Sequence, residues 1–318
     1  MSAEKRVMNP DVRAAGAVRH NDPNEPGADN PPKRKKSHQD LPKVCFVIAR
    51  PRSGTTVFSK MLSSHPRVVC VGEIFNQSNE RSYFHFLKQL VSVDPDCLFP
   101  SNSTTNFLKY VETCREYARA KKHNCKVVVL DVKYDQAHLL CEAWWKIGQL
   151  PKILFLIREK KWRVIDIHRN DLVGLCISNQ IAMQTKVYHS SALPEGEKQT
   201  AKIRINPDQI LRDVQATRVV YENIQKHFTN RREYKLINYE AMFDPEGSFS
   251  QNLIDDLSTF LGMQNFFDRS PKLQKLLSED ILHHVENASE LRAILNSSEF
   301  AGERDLDAHL LQYEEDLP

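Results

Sequence analysis

Val44-Cys45-Phe46-Val47-Ile48-Ala49-Arg50-Pro51-Arg52-Ser53-Gly54-Thr55-Thr56 decides the fold. Its first six residues are an uninterrupted apolar run, as expected of a strand covered on both faces in a parallel sheet. Pro51 and Gly54 then mark a tight turn, and Val57, Phe58, Met61 and Leu62 recur at helical spacing, predicting a helix over residues 55–64. A strand, a turn and a helix start converge several backbone N–H groups on one point. With the positive end of the helix dipole behind them, that point suits a phosphate or a related anion. Thr55 and Thr56 offer hydroxyls, and Arg52 a planar charged fork. The loop is not a Walker A loop, which needs four residues between its glycines and a Lys-Ser/Thr at its end. Taken alone, the same residues also suit an ordinary capped helix after a turn.

Outward from this segment, further strands are expected over residues 68–71, 126–132, 163–168 and 234–238. Helical patterns lie at 82–91, 106–121, 135–148, 151–161, 171–186 and 208–228. Strands alternating with helices of this length predict an α/β fold with a mainly parallel sheet. Residues 187–206 read as a long surface loop, which in a compact domain is often functional.

The remaining composition narrows the class. The 318 residues carry 44 Lys+Arg against 41 Asp+Glu, and mean hydropathy is -0.51, the range of ordinary water-soluble chains. No apolar run approaches the roughly 20 residues that span a bilayer. Residues 1–42 hold six of the sixteen prolines and no aromatic residue, and they are expected to form a disordered tail before a single domain over 43–318. Lys33-Arg34-Lys35-Lys36 within it reads as a solvated charge run, although such runs also dock on anionic surfaces. No apolar signal segment follows Met1, and the seven cysteines have neither Cys-x-x-Cys spacing nor an even count. A reduced, cytoplasmic setting is therefore expected.

Four motifs, in order and beginning with this turn, carry a resemblance. Pro51-Arg52-Ser53-Gly54-Thr55-Thr56 is followed by a helix, His65-Pro66, a short strand and Gly72-Glu73. Next comes Val164-Ile165-Asp166-Ile167-His168-Arg169-Asn170, entering a helix with Ser178. Ile237-Asn238-Tyr239-Glu240-Ala241-Met242 and Phe260-Leu261-Gly262 follow, and then residues 281–295. This succession resembles the sulfotransferases that use 3′-phosphoadenosine 5′-phosphosulfate (PAPS). It is most similar to bacterial carbohydrate sulfotransferases of the nodulation-factor and lipopolysaccharide type, and it spans most of residues 43–300.

The resemblance implies a P-loop-like, mainly parallel sheet flanked by helices. It implies PAPS as co-substrate, no metal, and donor contacts from Arg50, Arg52, Ser53, Gly54, Thr55, Thr56, Arg169 and Ser178. Arg52 would stabilise charge on the departing 5′-phosphate, and Arg169 with Ser178 would hold the 3′-phosphate. The Arg169-to-Ser178 interval of nine is one longer than in cytosolic small-molecule members, which leaves Ser190 and Ser191 open. Glu73 stands where related enzymes carry a general base, with His189 as runner-up. Arg169 also suits an ion pair with Asp171, and Glu73 a pairing with a loop arginine. Asp131 and Asp166 are weak candidates for metal ligands, and Trp144-Trp145 reads as core. The expected reaction is sulfuryl transfer to a saccharide or glycolipid hydroxyl. The partners are then PAPS, its product PAP and that acceptor, with no nucleic acid and with homodimerisation open. Residues 76–122 and 187–206 would shape the acceptor cleft. A P-loop-type nucleotide or metabolite kinase and a non-catalytic nucleotide-binding protein are the rival readings.

Overall fold

A computed structural model describes residues 41–140, 150–188, 202–270 and 281–297, all within the compact unit Leu41–Pro318. Five parallel strands form one sheet in the order β2-β3-β1-β4-β5: β1 (Lys43–Ala49), β2 (Val68–Glu73), β3 (Val127–Lys133), β4 (Arg163–His168) and β5 (Tyr234–Asn238). Among the described residues eight α-helices accompany them: α1 (Thr55–Ser64), α2 (Tyr83–Val91), α3 (Ser103–Lys121), α4 (Lys152–Glu159), α5 (Leu172–Thr185), α6 (Pro207–Phe228), α7 (Gln251–Leu261) and α8 (Ala288–Ser297). All five expected strands are present within two residues of their expected ends. The expected helix over 135–148 is corrected in part. Tyr134–Leu139 is a 3-10 turn leaving β3, and residues 141–149, with Trp144 and Trp145, lie outside the described residues.

Both faces of the sheet are covered, which is why β1 reads as a continuous apolar run. Val44, Phe46 and Ile48 pack on one side with residues of α3, α4 and α6. Cys45, Val47 and Ala49 pack on the other with Phe58, Met61 and Leu62 of α1 and with α7. Burying each of those three α1 side chains stabilises the fold by about 1.5–3 kcal/mol relative to exposure. A third cluster joins α5, α6 and α8 through Ile177, Ile210 and Leu291. Among the described residues no helix is long and apolar enough to cross a membrane.

The end of α1 is held by a single ammonium. Lys122 Nζ donates to the carbonyls of Ser63, His65 and Val68 at 2.8–2.9 Å, tying the end of α1 to the start of β2. Burial pushes the Lys122 amine below its ordinary pKa. We expect Lys122→Met to lower stability by about 1–3 kcal/mol, read as a shifted urea midpoint at constant m-value.

Strand order reverses beside β1. The chain leaves β1 towards β2 and β3, and later returns to β4 on the other side. In open α/β sheets the crevice at the carboxyl ends of such neighbours is where ligands sit. Here those ends are Arg50–Gly54 after β1 and Arg169 after β4.

Candidate active site

Arg52 and Gly54 both adopt left-handed backbone, with φ 69° and 72°. For arginine this conformation costs about 1–2 kcal/mol, so the tertiary structure imposes it. Gly54 is the N-cap of α1, and no side chain caps that end, leaving its first-turn N–H groups for a ligand. A Cβ on Gly54 would stand 2.6 Å from Cε2 of Tyr239, so glycine alone fits there.

The two guanidiniums lie near enough for their charges to repel. Arg52 Nε donates to Ser178 Oγ at 3.1 Å, and its Nη1 donates to the Tyr188 carbonyl. Burial first, and then the charge of Arg169, push Arg52 below its ordinary pKa. Arg169 lies 5.3 Å over the Tyr239 ring and bonds Asp171 at 2.8 Å, so the ion pair weighed from sequence is present. Asp171 also caps α5 through the Gly174 N–H at 2.7 Å, and Glu240 accepts the N–H groups of Asn170 and Asp171. Among the described residues, three buried polar atoms in this region have no hydrogen-bond partner: Arg50 Nε, Ser53 Oγ and Arg169 Nε. Two crowded cations and three orphaned polar atoms are what a polyanionic ligand would satisfy.

On the opposite side of the turn lies a residue the sequence reading passed over. Period-two alternation puts Val127, Val129, Asp131 and Lys133 of β3 on the α1 face, the last two beyond the apolar cover. Lys133 Nζ donates to Thr55 Oγ1 at 2.6 Å and to both Asp131 oxygens at 2.6–2.7 Å. The lysine absent from the turn therefore reaches it from a strand 78 residues on. The Thr55 hydroxyl is accordingly engaged with Lys133. The available signal was the pair Asp131-x-Lys133 closing a buried strand, since paired ions are the form in which charges enter a core.

A bulge delivers Glu73 to the same place. The β2–β3 register slips between Cys70 and Gly72, so Glu73 aligns with Asp131 and joins its face of the sheet. Glu73 Oε1 lies 3.5 Å from Lys133 Nζ, and its Oε2 is 3.4 Å from the amides of Gln136 and Asn76. Its partner is thus a strand lysine, not a loop arginine. Asn79 fixes the turn by donating to the Val71 and Glu73 carbonyls at 3.2 and 2.9 Å. The Glu73 side chain keeps 26% of its surface open. Asp131 and Asp166 are both engaged by protein partners: Asp131 by Lys133, and Asp166 by Tyr134, Tyr234 and His168. His189, Ser190 and Ser191 lie outside the described residues.

Residues 44–259 match the model of the sulfotransferase family. The chain belongs to that family. As a sulfotransferase it is an enzyme that depends on PAPS. Several solved sulfotransferases are similar to it at low identity. One from Alicyclobacillus acidocaldarius is 14% identical, covering 82% of this chain and 92% of that one, with a TM-score of 0.39. Mouse sulfotransferase SULT7A1 complexed with PAP is 12% identical over 86% and 89%, with a TM-score of 0.39. The sulfotransferase domain of the Synechococcus PCC 7002 olefin synthase is 13% identical over 89% and 99%, with a TM-score of 0.37. No curated protein matches the chain. Membership rests on the family match and not on these distant likenesses.

Proposed function

We propose that this sulfotransferase moves the sulfuryl group of PAPS to a hydroxyl of a saccharide or glycolipid, with Glu73 as general base. The observation that carries the reading is the pair of arginines at the carboxyl ends of β1 and β4, the sheet's switch point, with the orphaned buried polar atoms Arg50 Nε, Ser53 Oγ and Arg169 Nε beside them. The Arg52–Gly54 turn and the α1 N-terminus suit the phosphosulfate. Arg169 suits the 3′-phosphate, sharing its fork with Asp171. Ser178, bonded to Arg52, stands between these two roles.

Transfer asks for in-line attack through a loose transition state, in which catalysis is mainly positioning and charge stabilisation. Arg52 supplies positive charge where the 5′-phosphate departs, and it cannot give up its proton at working pH. Glu73 takes the acceptor proton. The Lys133 ammonium sits between that carboxylate and the turn, adding charge next to the reacting group. The saccharide acceptor rests on the likeness of Pro51–Thr56 to carbohydrate sulfotransferases, and a cytoplasmic setting accords with the cysteine pattern.

Thermal shifts with PAP, AMP and ATP test the donor: PAP should stabilise most, and a larger shift with magnesium-ATP would favour a kinase. Arg169→Ala should weaken PAP about 10–100-fold and adenosine 5′-phosphosulfate only a few-fold. Equal losses for the two ligands would remove Arg169 from the 3′-phosphate site.

A further inference from the structure

Asp166 stands where the sheet asks for an apolar side chain. It lies within β4, opposite Ile48 of β1 and Leu236 of β5, and it is fully buried. Burying a carboxylate costs several kcal/mol unless hydrogen bonds replace the lost water. Three groups do so here. Tyr134 and Tyr234 donate their hydroxyls, the latter at 2.6 Å, and His168 Nε2 lies 3.0 Å away. Burial above all pushes both phenols above their ordinary pKa, so each keeps its proton to donate. A well-packed apolar residue would serve stability here as well or better. Stability alone therefore does not account for the carboxylate.

The array leads to one place. Residues 166 and 168 share a face of β4, and the His168 ring that Asp166 holds stacks on Tyr221 of α6. The two rings have centroids 3.7 Å apart and planes 8° from parallel, and Tyr134 meets Tyr221 at 76°. Tyr221 Oη accepts the main-chain N–H of Arg169 at 3.2 Å. The carbonyl of that same peptide, belonging to His168, accepts the Tyr239 N–H at 2.7 Å. The peptide joining His168 to Arg169 is thus held at both ends, and because it is planar its orientation sets where the Arg169 side chain leaves the strand. The guanidinium rests 5.3 Å over the Tyr239 ring, with its buried Nε left for a ligand.

We propose that Asp166 is a positioning residue for the 3′-phosphate: through His168 and Tyr221 it fixes the peptide that carries Arg169, so that this guanidinium stands in its binding geometry before the nucleotide arrives. The proposal rests on the two-anion reading above. A preorganised site binds more tightly because less ordering is lost on binding. Loosening the array therefore weakens the 3′-phosphate end and leaves the 5′ end, held by the turn after β1, nearly as it was.

Calorimetry on the full chain with PAP and AMP, in a double-mutant cycle with Arg169, tests this. Asp166→Asn keeps the size of the side chain and removes its charge. We expect it to weaken PAP about tenfold and AMP less than about twofold. In an Arg169→Ala background the same change should cost PAP less than about twofold, because Asp166 acts through that guanidinium. KM for PAPS should rise more than kcat falls. Equal losses for PAP and AMP, equal losses in the two backgrounds, or no loss at all would overturn the proposal. Should Asp166→Asn not fold, Tyr221→Phe runs the same cycle with the same expectations, since it keeps the ring on His168 and removes only the acceptor of the Arg169 N–H. If Arg169→Ala by itself weakens PAP and AMP equally, the two-anion reading fails and takes this proposal with it. A selective loss in Arg169→Ala beside an unselective one in Asp166→Asn counts against the proposal alone.

Discussion

Glu73→Gln should lower the rate of sulfation by about 10²–10⁴-fold while PAP affinity stays within about twofold. Glutamine keeps the size of the side chain and can still meet Gln136 and Asn76, but it cannot accept the acceptor's proton. The ion pair lost with Lys133 spans 3.5 Å and is open to solvent on the Glu73 side, so stability should move by no more than about 1 kcal/mol. Sulfate transfer from labelled PAPS, set beside calorimetry with PAP, separates chemistry from binding. A rate loss below tenfold would make Glu73 a structural partner of Lys133 and pass the proton to another group.

Lys133→Met should cost about 3–5 kcal/mol, because Asp131 would be left buried without its counter-ion. Burial already raises the Asp131 pKa with Lys133 in place, and removing the ammonium raises it further. The sign follows from linkage. A carboxyl whose folded pKa exceeds its unfolded one takes up its proton first in the folded state. The deficit is therefore full above the folded pKa and shrinks as pH falls through it. Urea midpoints across a pH series check this, and a deficit independent of pH would show that Asp131 is not the source. The double change Asp131→Leu/Lys133→Met should regain most of the stability without the Thr55 contact, so its activity stays low.

Much of the frame was legible. β1 and the turn after it could be read because a doubly covered strand leaves an unbroken apolar run and a turn needs Pro and Gly. Arg52, Arg169 and Ser178 could be named because each sits within a contiguous motif. Three features were not legible. Lys133 is one charged residue in a strand, and nothing local says that it reaches Thr55. The bulge in β2 changes which face Glu73 shares, and it depends on pairing with β3. Tyr221 lies mid-helix in α6, where an aromatic at helical spacing reads as core, yet its hydroxyl accepts the Arg169 main-chain N–H at 3.2 Å.

The amino-acid order alone settled that strands alternate with helices, that a tight turn with Arg52 and Gly54 follows β1, and that a guanidinium stands at the tip of β4. These depend on periodicity and on neighbours within a few residues. Folding alone decided which polar groups meet: Lys133 with Thr55 and Asp131, Glu73 with Lys133, and Arg52 with Ser178. The reason is range. Backbone preferences act over one turn or one strand, whereas electrostatic partners are chosen by strand order and register, which no local stretch of chain contains.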